Sequence, residues 1–247
     1  MENKIILHRG YKGKYLENSL SSFENAIRGN MPFEMDIRIS KDGKCFMIHD
    51  DNLDRLFNGT GKINEHYSRE LEKFEYKKDS SQKLCSLNEL CELIKRTNYN
   101  NLIFTHIKKL KDIDNVIETL VDYDLSEIIK FFAVDELTLS LIKMIKRNYP
   151  EYKAGLHFND NSKINEEEFK IADFIWADET TKENITSKLV NTAHRFGKSM
   201  YAVSPELIPG SIFNKNIGGR WIELMEMNVD GICTDKQYEL SEFLKNY

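Results

Sequence analysis

The chain has 247 residues, 40% of them hydrophobic, which suits a single globular domain with a sizeable core and no linker. Its 40 acidic and 35 basic residues give a net charge of -5, which argues against nucleic acid or an acidic membrane surface as partner. No stretch approaches the roughly 20 apolar residues of a membrane span, and MENKIILHRG, with three consecutive aliphatic residues, is too short of them for a secretion signal. Cys45, Cys85, Cys91 and Cys233 show no C-x-x-C spacing and read as reduced thiols, so a soluble cytoplasmic protein is expected.

Short apolar runs alternate with longer segments of helical period. The predicted strands are KIILH (4–8), FEMDIRI (33–39), NLIFTHI (101–107), EIIKFFAV (127–134), YKAGLHF (152–158), DFIWA (173–177), KSMYAV (198–203) and DGICT (230–234). After the first strand, Leu20, Phe23, Ala26 and Ile27 share a helical face that Gly29 closes. Ser86-x-x-Glu89 forms a capping box ahead of Leu87, Leu90, Cys91 and Ile94, and further helices are predicted over 135–148 and 182–196. Eight strands, each followed by a helix, predict an α/β chain folded as a (β/α)8 barrel. Residues 50–85 break the rhythm, and this polar segment is expected to form an excursion over the barrel mouth.

The chemistry gathers where strands end. His8 and Arg9 follow the first strand, and Glu34 and Asp36 share one face of the second because side chains alternate. Two such carboxylates repel unless a cation separates them. Their oxygens suit a hard divalent ion, or they form ion pairs with Arg38 or Lys41; both readings are open. After the turn Lys41-Asp42-Gly43, the run CFMIHDD ends at His49-Asp50. A histidine closing an apolar run is generally a satisfied core residue, but two of them, His8 and His49, around an acidic pair favour catalysis. In NLIFTHIKK, His106 and Lys108 put two basic side chains on one face of a strand.

The order HRG (8–10), ENS (17–19), E-x-D (34–36), KDG (41–43), HDDNLDR (49–55) and GTG (59–61) resembles the glycerophosphodiester phosphodiesterase family. Weaker matches follow at Ser86-Leu87, Ile107-Lys108 and VDGICTD (229–235). The resemblance implies a TIM barrel with a small insertion after the second βα unit, which would account for residues 50–85. It implies metal-dependent hydrolysis of a small-molecule glycerophosphodiester to an alcohol and sn-glycerol 3-phosphate. In that reading Glu34 and Asp36 hold one divalent cation, Mg2+ or Ca2+ in the family. Arg9 and Lys108 contact the phosphate, His8 is the base and His49 the acid. Glu17 orients His8, joins the metal shell or stabilises a helix start; Asp50 orients a base or begins the insertion.

Two departures from the family pattern matter. A third carboxylate is usual where this chain has His106. His106 is read as a replacement metal ligand favouring Mn2+ or Zn2+, as a phosphate contact, or as a sign of a site that no longer turns over. In the seventh strand, where an aromatic followed by a polar residue is usual, the chain reads YAVSPEL (201–207). Glu206 is read as substrate-binding, with Ser204 helping to select a hydroxyl-rich or amine-bearing alcohol, or as a solvent-facing turn residue. Phe131, Phe132 and Trp176 either stack on substrate or belong to the core. The alternatives to the hydrolase are a cyclising phosphodiester lyase resembling sphingomyelinase D and a catalytically weak glycerophosphodiester-binding protein.

Overall fold

Strand and helix alternate along residues 4–245, the part of the chain that the computed structural model describes. The strands of the repeat are β1 (Ile5–Leu7), β2 (Phe33–Ile39), β3 (Ile103–Ile107), β4 (Ile129–Phe132), β5 (Lys153–Phe158), β6 (Phe174–Ala177), β7 (Ser199–Val203) and β8 (Gly231–Thr234). Each is followed by a helix: α1 (Leu20–Arg28), α2 (Leu87–Thr97), α3 (Ile113–Val121), α4 (Leu137–Asn148), α5 (Glu166–Ile171), α6 (Ser187–Arg195), α7 (Ile217–Glu226) and α8 (Gln237–Lys245). This is the element order of a (β/α)8 barrel.

The helix ends follow from local chemistry. Ser19 caps α1 by accepting the Ser22 amide at 3.1 Å, and Phe23, Ala26 and Ile27 are buried. Leu20 is 37% exposed, so in the first turn it leaves the apolar face expected of it. Gly29 keeps an ordinary φ of -79°, and the left-handed position falls to Asn30 at φ 47°. The capping box before α2 forms as expected, with Glu89 accepting from the Ser86 amide at 2.8 Å. Helix α6 starts later than its sequence period suggests, because Thr186 accepts from Leu189 and sets the first turn there.

The chain forms two compact units, one spanning His8–Ile129 and the other combining β1 with the residues from Lys130 onward. In the second unit, β4 to β8 pair in sequence as parallel neighbours and β1 lies beside β8, with Ile5 opposite Ile232. Strands of this kind are apolar on both faces. Phe132 stacks on Trp176 with ring centroids 4.6 Å apart, and Phe131 packs on Tyr152. All three aromatics weighed for substrate stacking are buried, so they are core.

In the first unit β2 carries two different neighbours. It runs parallel to β3 on one edge and antiparallel to the short strand Cys45–Met47 on the other. The excursion therefore enters between β2 and α2. It has a core of its own rather than loose loop structure: Phe46, Ile48, Leu53, Phe57, Ile63, Leu71, Tyr76 and Leu84 pack together. Burying each large apolar side chain contributes about 1.5–3 kcal/mol, enough together to hold a segment with little regular structure. The GTG motif serves this packing: a Cβ on Gly59 would lie 2.7 Å from the Phe74 ring.

Candidate active site

Alternation and register build the site. Glu34 and Asp36 project from one face of β2, and the parallel pairing sets Asp36 opposite His106 on β3, with Lys108 two residues further along. All four side chains belong to the His8–Ile129 unit, as do His8, Arg9, Glu17 and His49. Arg38 turns away from the carboxylate pair and donates to the His49 carbonyl at 3.1 and 2.8 Å, with a further bond to Asp51. The partners of Asp36 are instead Lys108 at 2.7 Å, Arg9 at 3.3 Å and His106 at 3.3 Å.

The loop after β1 is shaped to deliver Arg9. Arg9 itself takes φ 52°, and Gly10 follows at 73° with its Cβ position 2.4 Å from Ser22 Oγ, so no larger residue fits there. The Arg9 amide donates to Glu34 Oε2 at 3.0 Å and its Nη1 to Glu17 Oε1 at 2.8 Å. Its buried Nε lies 3.3 Å from Asp36 Oδ2 without making a hydrogen bond, so its N–H can still turn to an anionic oxygen. Asn18, also left-handed at φ 54°, reads Asp36 twice: its Nδ2 donates to the carboxylate at 3.1 Å and its Oδ1 accepts the Asp36 amide at 3.2 Å. Asn18 lies in the ENS motif, yet nothing in its type or spacing marks it as the residue that holds Asp36.

The two carboxylates differ in charge state. Glu34 is pushed up to about 8, chiefly by burial and then by the neighbouring Asp36 charge. Burial opposes ionisation of Asp36 as well, but Lys108, the His106 hydrogen bond and Arg9 together hold it well below the usual carboxylate range. Burial, aided by Lys108, takes His106 down to about 4 against the pull of Asp36, so its imidazole is neutral near pH 7. Such an imidazole can ligate a metal. Ligand atoms of Glu34, Asp36 and His106 lie within 4.8 Å of one another, and a divalent cation would offset the burial and the Asp36 charge that keep Glu34 protonated. The residues therefore fit an ion. Their mixed oxygen and nitrogen donors suit Mn2+ or Zn2+ better than an all-oxygen cage would. Lys108 Nζ also touches His106 Nδ1 at 2.9 Å, so an incoming ion meets an ammonium already seated on two of its ligands.

His49 follows the antiparallel strand and is 39% exposed. Its Nδ1 lies 2.8 Å from Asp50 Oδ1, and Asp50, held down to about 2 despite burial by Arg55 and His49, is a carboxylate. The Nδ1–H of a neutral His49 therefore donates to Asp50, and Nε2 is left with its lone pair. Burial, with Lys108 and Arg9 nearby, lowers the His49 pKa against the attraction of Asp36. His8 is the first residue after β1 and is half-buried.

Elsewhere, Glu206 sits in the turn after β7, where it accepts from the hydroxyls of Ser204 and Thr234 and from the Asp235 amide at 3.2 Å. Ser204 is fully buried and its hydroxyl accepts from Trp221 Nε1 at 2.8 Å, which removes it as a selector of alcohols. The same unit holds a cavity of about 610 Å³ lined by Asp135, His157 and Asn159. Both nitrogens of His157 are engaged, Nδ1 by the Asp135 amide at 3.1 Å and Nε2 by Asp178 at 2.9 Å, so its ring has no position for a ligand. Among the described residues no helix is long and apolar enough to cross a membrane.

The sequence model of the Glycerophosphoryl diester phosphodiesterase family matches residues 8–238. The chain is 34% identical over 97 residues to a glycerophosphodiester phosphodiesterase of Bacillus altitudinis, a match spanning 37% of this chain and 40% of that protein. It is 27% identical over 165 residues to one from Caldanaerobacter subterraneus subsp. tengcongensis, covering 63% and 67% of the two chains. Its fold is similar to that of an Oleispira antarctica phosphodiesterase solved with the product sn-glycerol-3-phosphate, with a TM-score of 0.78, 19% identity and 98% and 96% of the chains covered. A glycerophosphodiester phosphodiesterase from Thermotoga maritima superposes with a TM-score of 0.69 at 23% identity over 100% and 99% of the chains. The fold is thus a (β/α)8 barrel.

Proposed function

Because the chain belongs to the glycerophosphoryl diester phosphodiesterase family, we propose that it hydrolyses a glycerophosphodiester to an alcohol and sn-glycerol 3-phosphate with the aid of one divalent cation. The observation that carries this reading is the buried meeting of Glu34, Asp36 and His106 with Arg9 and Lys108. Acidic and basic groups in that proportion can hold a cation and a phosphate together. The product bound in the Oleispira antarctica relative is the one this reading assigns.

Glu34, Asp36 and His106 would hold the ion, which when bound supplies positive charge to a phosphate oxygen. Arg9 turns its Nε–H, which makes no hydrogen bond to Asp36, toward a second oxygen, while Glu17 fixes its Nη1. Lys108, beside Asp36 at 2.7 Å, would pair with the phosphate when Asp36 holds the ion. His49 Nε2 accepts the proton of the nucleophile, either water or a glycerol hydroxyl whose cyclic phosphate water then opens, as the new P–O bond forms, and Asp50 stabilises the resulting imidazolium. His8 donates a proton to the departing alkoxide as the P–O bond to the alcohol breaks. The lowered pKa of His49 and its Nδ1 partner favour this order, in which His49 is the base and His8 the acid, over the reverse order drawn from the sequence.

The test is a panel of glycerophosphodiesters assayed with Mg2+, Ca2+, Mn2+ and Zn2+ after chelator treatment. Release of glycerol 3-phosphate from at least one diester is expected, with Mn2+ or Zn2+ supporting the higher rate. Tight diester binding without turnover in any of the four metals would establish a binding protein instead.

His106→Glu tests the cage directly. Restoring a third carboxylate is expected to raise Mg2+ or Ca2+ affinity by about tenfold, since an oxygen donor replaces nitrogen. Isothermal titration with each ion reads this without turnover. Unchanged affinities for all four ions would remove His106 from the metal shell.

A further inference from the structure

The insertion grips the loop after β1 and the first turn of α1 at three points. Tyr76 donates its hydroxyl to the Glu17 carbonyl at 2.9 Å, Ser21 donates to the Gln82 side chain, and Arg55 takes both oxygens of the Glu17 carboxylate at 3.0 and 2.6 Å. Arg55 does one thing more. Its Nε donates to Asp50 Oδ2 at 2.5 Å, so one guanidinium spans Glu17 and Asp50. Each of those carboxylates in turn holds a residue of the proposed site: Glu17 binds Arg9 Nη1 at 2.8 Å and Asp50 binds His49 Nδ1 at 2.8 Å. The chain of contacts His49, Asp50, Arg55, Glu17, Arg9 is continuous.

The guanidinium is well placed for this because its backbone is anchored on both sides. Leu53 and Phe57 are fully buried in the insertion core, and the Phe57 amide closes a turn onto the Leu53 carbonyl at 2.9 Å. The fork of Arg55 matches a carboxylate with two parallel N–H groups and still has Nε for a second one, which a lysine cannot reproduce.

We propose that Arg55 is a positioning residue that locks the proton-transfer arm, His49–Asp50, to the phosphate-binding arm, Glu17–Arg9, and that the insertion exists in part to present it. The proposal rests on the hydrolase reading for its kinetic consequences but not for its structural one. Arg55 touches no reacting atom in it. It acts through Asp50, whose loss of a partner lets the imidazole change tautomer and tilt, and through Glu17, whose release lets Arg9 swing.

Two measurements on the full chain test this. Imidazole 15N spectra need no substrate: His49 is expected to hold the Nδ1–H tautomer in the wild type and to become a mixture in Arg55→Met. An unchanged tautomer overturns the link to His49 whether or not the protein is an enzyme. In kinetics with the preferred diester, Arg55→Met is expected to lower kcat/KM by about 10²-fold, the scale of a small misplacement of reacting groups, through both a lower kcat and a higher KM. Arg55→Lys should behave like Arg55→Met, since it keeps the charge and loses the span. In an Asp50→Asn background, Arg55→Met should lower kcat no further than about twofold, and in a Glu17→Gln background it should leave KM within about twofold, because Arg55 acts only through those carboxylates. Losses that multiply, or an Arg55→Met enzyme with wild-type kcat and KM, overturn the proposal. The exposed Arg69→Met in the same insertion is the control for lost charge and should match the wild type.

Discussion

His49→Ala is expected to cut kcat by about 10²–10⁴-fold, the range of a lost general acid–base group, while leaving the fold in place. Both halves of that statement come from the environment of the ring. Its Nδ1 is spoken for by Asp50 at 2.8 Å, so Nε2 is the nitrogen left to receive a proton. Burial, with the cations Lys108 and Arg9, favours the neutral ring against the attraction of Asp36. At 39% exposure it contributes little packing, and after its removal Asp50 still has the Arg55 guanidinium, so no buried charge is stranded. Steady-state rates beside thermal melts of the two proteins make the comparison. Turnover within about tenfold of the wild type would assign proton transfer to another group.

The second large effect separates two carboxylates that stand two residues apart. Asp36→Asn is expected to destabilise the metal-free protein by about 3–5 kcal/mol, the cost of removing one member of a buried ion pair. Lys108 at 2.7 Å and Arg9 at 3.3 Å both depend on its charge, and Asp36 itself is 1% exposed. Glu34→Gln is expected to leave metal-free stability within about 1 kcal/mol, because a carboxyl with a pKa of about 8 is already largely protonated at pH 7 and loses no ionic partner. Both variants should lose metal affinity, since each removes one of three ligands. Urea unfolding with and without the preferred ion measures the two quantities together. Equal destabilisation by the two substitutions would mean that Glu34 is ionised in the metal-free protein.

These predictions also divide the protein's features by where they could be read. The rhythm of strands and helices, the capping box at Ser86 and Glu89, and the shared faces of Glu34 with Asp36 and of His106 with Lys108 are local periodicities. A period of two or of 3.6 residues is visible wherever it occurs. The late start of α6 and the exposed Leu20 were hidden because a helix end depends on one cap and on what lies across from the first turn. The insertion looked polar in sequence, since its apolar residues are scattered through 46–84 and come together only when the segment coils on itself.

The amino-acid sequence by itself determined the repeat, the family motifs and the side chains that arrive on each strand face. Tertiary structure alone decided what those side chains are. Glu34 and Asp36 have the same spacing and nearly the same chemistry, yet one is pushed toward neutrality and the other held as an anion, because the β2–β3 register places His106 and Lys108 against Asp36. Asn18 and Arg55 stand in the motifs ENS and HDDNLDR, but their partners were silent in sequence for the same reason: Asn18 holds Asp36, and Arg55 reaches back 38 residues to Glu17. Charge state in a buried site is a sum over neighbours in a weakly screening medium, and those neighbours come from segments whose separation along the chain carries no signal of their meeting.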